Sequence, residues 1–337
     1  MPKKHVTIPF FIPHHGCKHR CVFCNQNATT HTFTLPTEEY ITQKIETYIK
    51  TIRQSVTHIE VAFFGGSFTG LPKEIQKKYL AIAHTYYSLE IINGIRISTR
   101  PDYIDNDILY LLYQYNVTTV ELGAQSLHDD VLQLSQRHHT INDIILASRL
   151  IKQSGFNLII QLMPGLPGDT FEKSLASAQS VVALKPDGVR IYPTVVIKNT
   201  ELENLYHSGV YIPLSLEEAV FICSELYGIF VSNNIPIIRM GLHPFDSSTI
   251  NTIIAGPYHP SFGYLVKSRY FRTKLQSIIN QKLQTTTNIK SLTITLPNKN
   301  ANEYFGPRKE NLAFLRNVFY PIQLFFHVSH VEDPEII

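Results

Sequence analysis

The chain has no stretch approaching the roughly 18 apolar residues of a membrane-spanning helix, so no membrane partner is expected. Charged residues are sparse, at 17%, which argues against a disordered segment or a coiled coil. No low-complexity tract and no repeat of roughly 20–50 residues stands out. An export signal is not expected either. The opening MPKKHVTIPFFIP is basic and then apolar, but Pro9 and Pro13 interrupt it and no small-residue cleavage site follows. Cysteine is scarce, with four in 337 residues, and three of them fall between positions 17 and 24. A secreted disulfide framework would spread its cysteines along the chain. Clustering without an export signal points to a metal site in a reducing cytoplasm.

What is present is a long alternation. Apolar residues make up 44%, enough for a sizeable core in one large α/β domain with an appendage, or in two domains. Strands are expected at His5–Pro13, His58–Phe64, Glu90–Ser98, Val117–Ala124, Phe156–Met163 and Gly188–Tyr192. Helices are expected at Thr37–Gln54, with Thr37 as its cap, and at Lys73–Tyr87, Asp105–Tyr115, Asn142–Ser154, Phe171–Leu184 and Ser215–Ser232. Nearly continuous apolar strands alternating with helices imply a parallel sheet covered by helices. The fold expected is α/β, a partial (β/α)6 TIM-like barrel with a small α+β C-terminal extension. A doubly wound open sheet is the alternative. After about Ile235 the repeat breaks down, leaving a helix at Phe271–Gln284 and strands at Ile289–Leu296 and Ile322–Val328. Residues 1–242 are therefore read as the barrel and 243–337 as the extension.

Charge is unevenly spread. The net charge is +3, yet Tyr264–Asn317 holds ten Lys or Arg against two Glu, which is +8 and leaves −5 elsewhere. That asymmetry suits an anionic partner; the alternative is a solvated surface with scattered lysines.

The motifs fall on the loops after the expected strands, where chemistry collects in a barrel. Cys17, Cys21 and Cys24 are spaced C-x3-C-x2-C. Three thiolates can hold three irons of a cubane, leaving the fourth iron open to a ligand. Structural zinc is the alternative, with His14, His15 or His19 as fourth donor. Cys223, in the middle of an expected helix, reads as a small buried hydrophobe. Gly65-Gly66-Ser67 ends the second strand and permits close backbone approach. Ser98 ends the third, Gln125 the fourth with Arg137 downstream, and Gln161 lies in the fifth before Met163-Pro164-Gly165.

A C-x3-C-x2-C run with Phe23 before its last cysteine resembles the radical S-adenosylmethionine superfamily. The Gln125-Ser126-Leu127 and Leu166-Pro167-Gly168 pieces lean toward its branch of coproporphyrinogen III dehydrogenases and the Elongator catalytic subunit. The resemblance implies a 4Fe–4S cluster on Cys17, Cys21 and Cys24, and S-adenosylmethionine reductively cleaved to a 5′-deoxyadenosyl radical. It implies Phe23 and Asn25 beside the adenine, Gly65, Gly66 and Ser67 at the amino group, Ser98 and Gln125 at the ribose, Arg137 at the carboxylate, and Gln161 near the adenosyl part. Several relatives carry a glutamate where Ser98 stands, and some an aspartate in place of Gln161. Arg190 and Tyr192 would face the substrate or the core. The run Ala255–Gly263 is a substrate lid or a structural loop, and His327 and His330 are surface residues. An electron donor of flavodoxin or ferredoxin type and a tRNA substrate are the partners implied. The Elongator branch carries an acetyltransferase domain for which no room is expected here. The rival reading is a non-enzymatic, zinc-stabilised RNA-binding protein.

Overall fold

The computed structural model describes residues 5–27, 34–53, 55–243, 250–286 and 288–336. Its centre is a curled half-barrel of seven strands: β1 (His5–Ile12), β2 (His58–Gly65), β3 (Gly94–Thr99), β4 (Thr119–Gln125), β5 (Asn157–Leu162), β6 (Gly188–Ile191) and β7 (Ile237–Met240). They are hydrogen-bonded in that order, and every neighbouring pair is parallel. Parallel strands need crossovers, and the sequence supplies helices for them. The main ones are α1 (Glu38–Thr51), α2 (Lys73–Ser88), α3 (Asn106–Gln114), α4 (Ile141–Gln153), α5 (Phe171–Ala183) and α6 (Leu216–Ser232). Thr37 caps α1 as expected, accepting from the Tyr40 amide. Reciprocal capping boxes start α4 (Thr140 with Asp143) and α6 (Ser215 with Glu218).

Alternation along each strand sorts its residues by face. Ile8, Phe10 and Ile12 of β1 and Val61 and Phe63 of β2 are buried under the helices. The opposite face carries polar groups, among them Glu60, Arg96 and Glu121, which bond to one another across the strands.

The six expected strands all form, and the sheet then gains a seventh, β7, beyond the point where the repeat was expected to end. Pro236 and Arg239 mask β7 in sequence, although its short apolar start still pairs with β6. The third strand begins at Gly94 rather than Glu90. Glu90 takes a positive φ of 57° at the end of α2, and the Ile91 and Ile92 amides bond back to the Tyr86 carbonyl. The expected end of the first helix, Gln54, lies outside the described residues.

A 24-residue helix, α7 (Phe262–Thr285), starts nine residues before the expected Phe271. Its first part, through Phe262 and Val266, belongs to the barrel's core. Its later part, through Phe271, Leu275 and Ile279, joins a second core with Leu292, Ile294, Leu296, Tyr304, Leu315 and Leu324. That second core is covered by a small sheet. In it β8 (Ser291–Pro297) pairs in parallel with β9 (Gln323–Ser329) and antiparallel with 335–336, and the helix α8 (Glu310–Val318) lies between β8 and β9 in sequence. Within the run read as a lid or a loop, Ala255 pairs with Val196, and the chain then leads directly into α7.

Candidate active site

The cysteine loop follows β1 and is bound to the turn after β2. Gly16 has a φ of +76°, and a Cβ there would lie 2.0 Å from the Ser67 carbonyl oxygen. A Cβ on Gly66 would lie 2.1 Å from the His15 carbonyl oxygen. The Gly66 amide bonds the Ile12 carbonyl and the Ser67 amide bonds that of His15. The close approach that glycine permits is thus used here to seat the cysteine loop. Gln26 locks the far side. Its amide donates to His14 Nε2, its carboxamide oxygen accepts from the His14 amide, and its Nε2 donates to the Gly65 carbonyl at 2.8 Å. Burial, then the charges of Arg20 and His15, hold the His14 imidazole below its ordinary pKa, which keeps Nε2 an acceptor.

The three thiols share this loop. Cys17 Sγ lies 3.4 Å from Ser67 Oγ, and the Cys24 amide bonds the Cys21 carbonyl. Burial, followed by the negative charges of Cys21 and Cys17, pushes the Cys24 thiol up to about 12. A set of thiolates under such mutual repulsion suits a cationic metal group. Around one zinc, sulfurs about 2.3 Å from the metal sit roughly 4 Å apart. Among the described residues, no three donor atoms of this loop converge within 4.8 Å, whereas those of His5, His58 and Glu60 do. Three thiols on one loop could each ligate one iron of a cluster. His14 Nε2 is also taken by the Gln26 amide, and His19 packs against the His138 ring at 4.3 Å.

Arg137 reaches the same loop. Its Nη1 lies 3.1 Å from Cys21 Sγ and its Nη2 donates to the Gly123 carbonyl, while its Nε has no protein partner among the described residues. Arg100 braces it, donating to the Arg137 carbonyl while pairing with Asp102 at 2.9 and 3.1 Å. Arg100 is thus a structural strut. His139 lies beside this pair; burial, then Arg137 and Arg100, lower its pKa to about 2, so it is neutral.

The other expected positions fall on the same rim or on the polar face of the sheet. Gln125, at a φ of +73°, accepts from Gln161 Nε2 at 3.0 Å. Ser98 Oγ lies 3.4 Å from a Glu121 oxygen. Asn25 donates to the Lys198 carbonyl, and Phe23 packs with Val22, Val196, Leu202 and Tyr211, turning it toward the 196–211 segment. Cys223 is fully buried in α6, as expected of a small hydrophobe.

Sequence reasoning missed a row of buried charges across the polar face. Glu60 takes a forked contact from Arg96, Arg96 also donates to Glu121 at 2.6 Å, and Arg190 donates to Glu121 through Nε and Nη2 at 3.1 and 3.0 Å. Arg190 also reaches the Tyr192 hydroxyl. Burial opposes the Arg190 charge, but Glu121 and Tyr192 outweigh it and raise its pKa. The available signal was one charged residue within each of four apolar strands, β2, β3, β4 and β6.

Comparison with known proteins fits this geometry. The Radical SAM superfamily model matches residues 11–179, and the Radical_SAM C-terminal domain model matches 186–272. Elongator complex protein 3 of Homo sapiens is 30% identical over 201 residues, covering 54% of this chain and 37% of its own length. The tRNA uridine(34) acetyltransferase of Methanocaldococcus jannaschii is 38% identical over 131 residues, covering 38% of this chain and 24% of its own. The chain thus spans well under half the length of these relatives. The structure of the archaeal Methanocaldococcus infernus Elp3 with residues 1–46 deleted superposes with a TM-score of 0.63 at 24% identity, over 81% of this chain and 64% of that one, which supports the fold. Nothing in these likenesses or in the thiol geometry favours the zinc-stabilised, non-enzymatic alternative. The chain belongs to the radical S-adenosylmethionine superfamily of enzymes, whose 4Fe–4S cluster and S-adenosylmethionine are its cofactors.

Proposed function

We propose that Cys17, Cys21 and Cys24 hold the cluster, and that the surrounding rim binds S-adenosylmethionine for radical chemistry on an RNA substrate, specifically tRNA. The observation that carries the cluster assignment is the thiol set, gathered on one braced loop with the buried Arg137 guanidinium against Cys21. When bound, the cluster and S-adenosylmethionine supply a 5′-deoxyadenosyl radical that abstracts hydrogen.

The chain's own groups position the reactants. Arg137, buried and pinned by Gly123 and Arg100, keeps Nε available for a carboxylate next to Cys21. Gln125 and Gln161 offer paired amides for ribose hydroxyls, with Ser98 beside them on the lumen side. Gly65, Gly66 and Ser67 line the edge nearest Cys17, and Phe23 and Asn25 supply the adenine side. Arg190 and Tyr192 stand deeper, on the substrate side. Residues 1–242 act as the catalytic barrel and 243–337 as an extension, with 255–263 as a structural loop that leads into α7. An external donor of flavodoxin or ferredoxin type provides the electron, and thiolate ligation calls for a reducing, cytoplasmic setting. No helix among the described residues is long and apolar enough to cross a membrane.

Two facts support tRNA. The Methanocaldococcus jannaschii relative carries a tRNA uridine in its name, and Lys267, Lys290, Lys299, Arg308, Lys309 and Arg316 of the extension are all exposed. Anaerobic reconstitution tests the reading. The wild-type chain should load iron and sulfide and, once reduced, release 5′-deoxyadenosine faster with tRNA present. Cys17→Ala, Cys21→Ala and Cys24→Ala should each lose the iron while Cys223→Ala keeps it. Equal loss in Cys223→Ala would refute the three-cysteine assignment.

A further inference from the structure

The polar face of the sheet carries a second group of metal-ligating side chains, at the end away from the cysteines. His5 opens β1, and His58 opens β2 directly opposite it in register. Glu60, two residues on, faces the same way. His5 Nε2 lies 2.9 Å and His58 Nε2 3.9 Å from the Glu60 carboxylate, and donor atoms of all three lie within 4.8 Å of one another. The His5 and His58 rings meet edge to face at 4.6 Å.

We propose that His5, His58 and Glu60 form a binding site for a divalent transition metal at the N-terminal end of the barrel. Ligand atoms about 2.0–2.2 Å from such an ion sit roughly 3–3.6 Å apart, a span that these distances bracket. Small rotations of exposed imidazoles bring the set to bonding distance. Two imidazoles and one carboxylate suit zinc, cobalt, nickel or ferrous iron rather than magnesium or calcium.

The carboxylate is oriented in advance. Glu60 is 4% exposed and is gripped by Arg96 through Nε and Nη2, which fixes the rotamer a ligand needs. Arg96 opposes a further cation on that carboxylate, but its own charge is shared with Glu121 at 2.6 Å. Both oxygens of a carboxylate keep lone pairs when one arginine is bound. The imidazoles, 47% and 43% exposed, leave the remaining coordination positions to water. The ion would clip the starts of β1 and β2 together. It is also well separated from the cysteine loop, because β1 runs eight residues between the two, roughly 25 Å at strand rise.

The test uses the full chain carrying Cys17→Ser, Cys21→Ser and Cys24→Ser together, so that no thiolate of the cluster loop competes and the outcome is independent of the cluster assignment. Zinc is titrated against a chromophoric chelator. The expected result is one zinc per chain, with affinity at least tenfold lower after His58→Gln and, separately, after His5→Gln. Both substitutions lie at half-exposed positions, and zinc-free melting temperatures verify that each variant folds. Zinc should also raise the melting temperature of the parent and not of the variants. No bound zinc in the parent, or zinc held equally by both variants, overturns the proposal.

Discussion

The charges of the barrel and those of the C-terminal unit are handled in opposite ways. Inside the barrel Glu60, Arg96, Glu121 and Arg190 are buried and spent on one another. In the C-terminal unit they lie on the surface, where Arg272 stacks over the Phe314 ring at 4.5 Å and Arg316 over Phe326 at 5.5 Å, while Lys290, Lys299, Arg308 and Lys309 stand exposed. Paired buried charges fix a shape because each defines where its neighbour sits. Solvated or ring-stacked cations keep their field directed outward, where a polyanion can use it. The same residue types thus serve as internal struts in one region and as a contact surface in the other.

Glu121→Ala breaks this contrast most severely. It takes the carboxylate partner from Arg190 and one of two from Arg96, which keeps Glu60, and removing one partner of a buried pair costs about 3–5 kcal/mol. Urea unfolding at pH 7 measures it. A loss near that of a typical surface substitution, under about 0.5 kcal/mol, would mean that the row is solvated and not structural.

The barrel's intolerance of unpaired charge also sets its response to acid. His139 is buried against Arg137 and Arg100, with its pKa lowered to about 2. Its ordinary value, and so its unfolded value, is about 6.5. Between the two the unfolded chain binds a proton that the folded chain refuses, so stability falls as pH drops below about 6.5. Across 1.5 pH units the linkage amounts to about 2 kcal/mol. Unfolding at pH 6.5 and 5.0 should show this loss, and His139→Gln should remove most of the difference. An unchanged slope in His139→Gln would assign the acid sensitivity elsewhere.

Legibility in sequence followed the same divide. The first six barrel strands were readable because each is a short, mostly apolar run set between helical segments, and Cys17, Cys21 and Cys24 because their spacing is local. β7 was not, since Pro236 and Arg239 break its pattern in a strand of only four residues. The start of α7 was hidden behind Pro257, Pro260 and Gly263, and burial on two sides, by the barrel core and the second core, blurs its amphipathic period. The charge row was invisible for a different reason. Its partners are 36, 25 and 69 residues apart, so only the folded sheet brings them together. Arg137 was singled out as a ligand contact, yet its hydrogen bond to Cys21 spans 116 residues and could be found only in three dimensions.

The smallest expected effect on stability, and the clearest on binding, lies in the C-terminal unit. Lys290→Glu with Lys299→Glu reverses two exposed charges at the ends of β8. Neither has an ion pair among the described residues, whereas Lys274 is neutralised by Asp333 at 2.6 Å. Stability should change by less than about 0.5 kcal/mol. Binding of tRNA should weaken across all sequences, and the slope of log affinity against log salt should fall by about one for each phosphate that is no longer neutralised. Arg272→Glu is the contrasting variant. Burial, then the Arg269 charge, lowers its pKa, and its guanidinium covers Phe314, so its replacement should cost packing as well as charge. Filter binding over a salt series, read beside a melting curve for each variant, separates the two. If the Lys290 and Lys299 reversals leave both affinity and salt slope unchanged, the exposed cations of this unit are solvation rather than a nucleic-acid surface, and a small-molecule substrate in the barrel becomes the better reading.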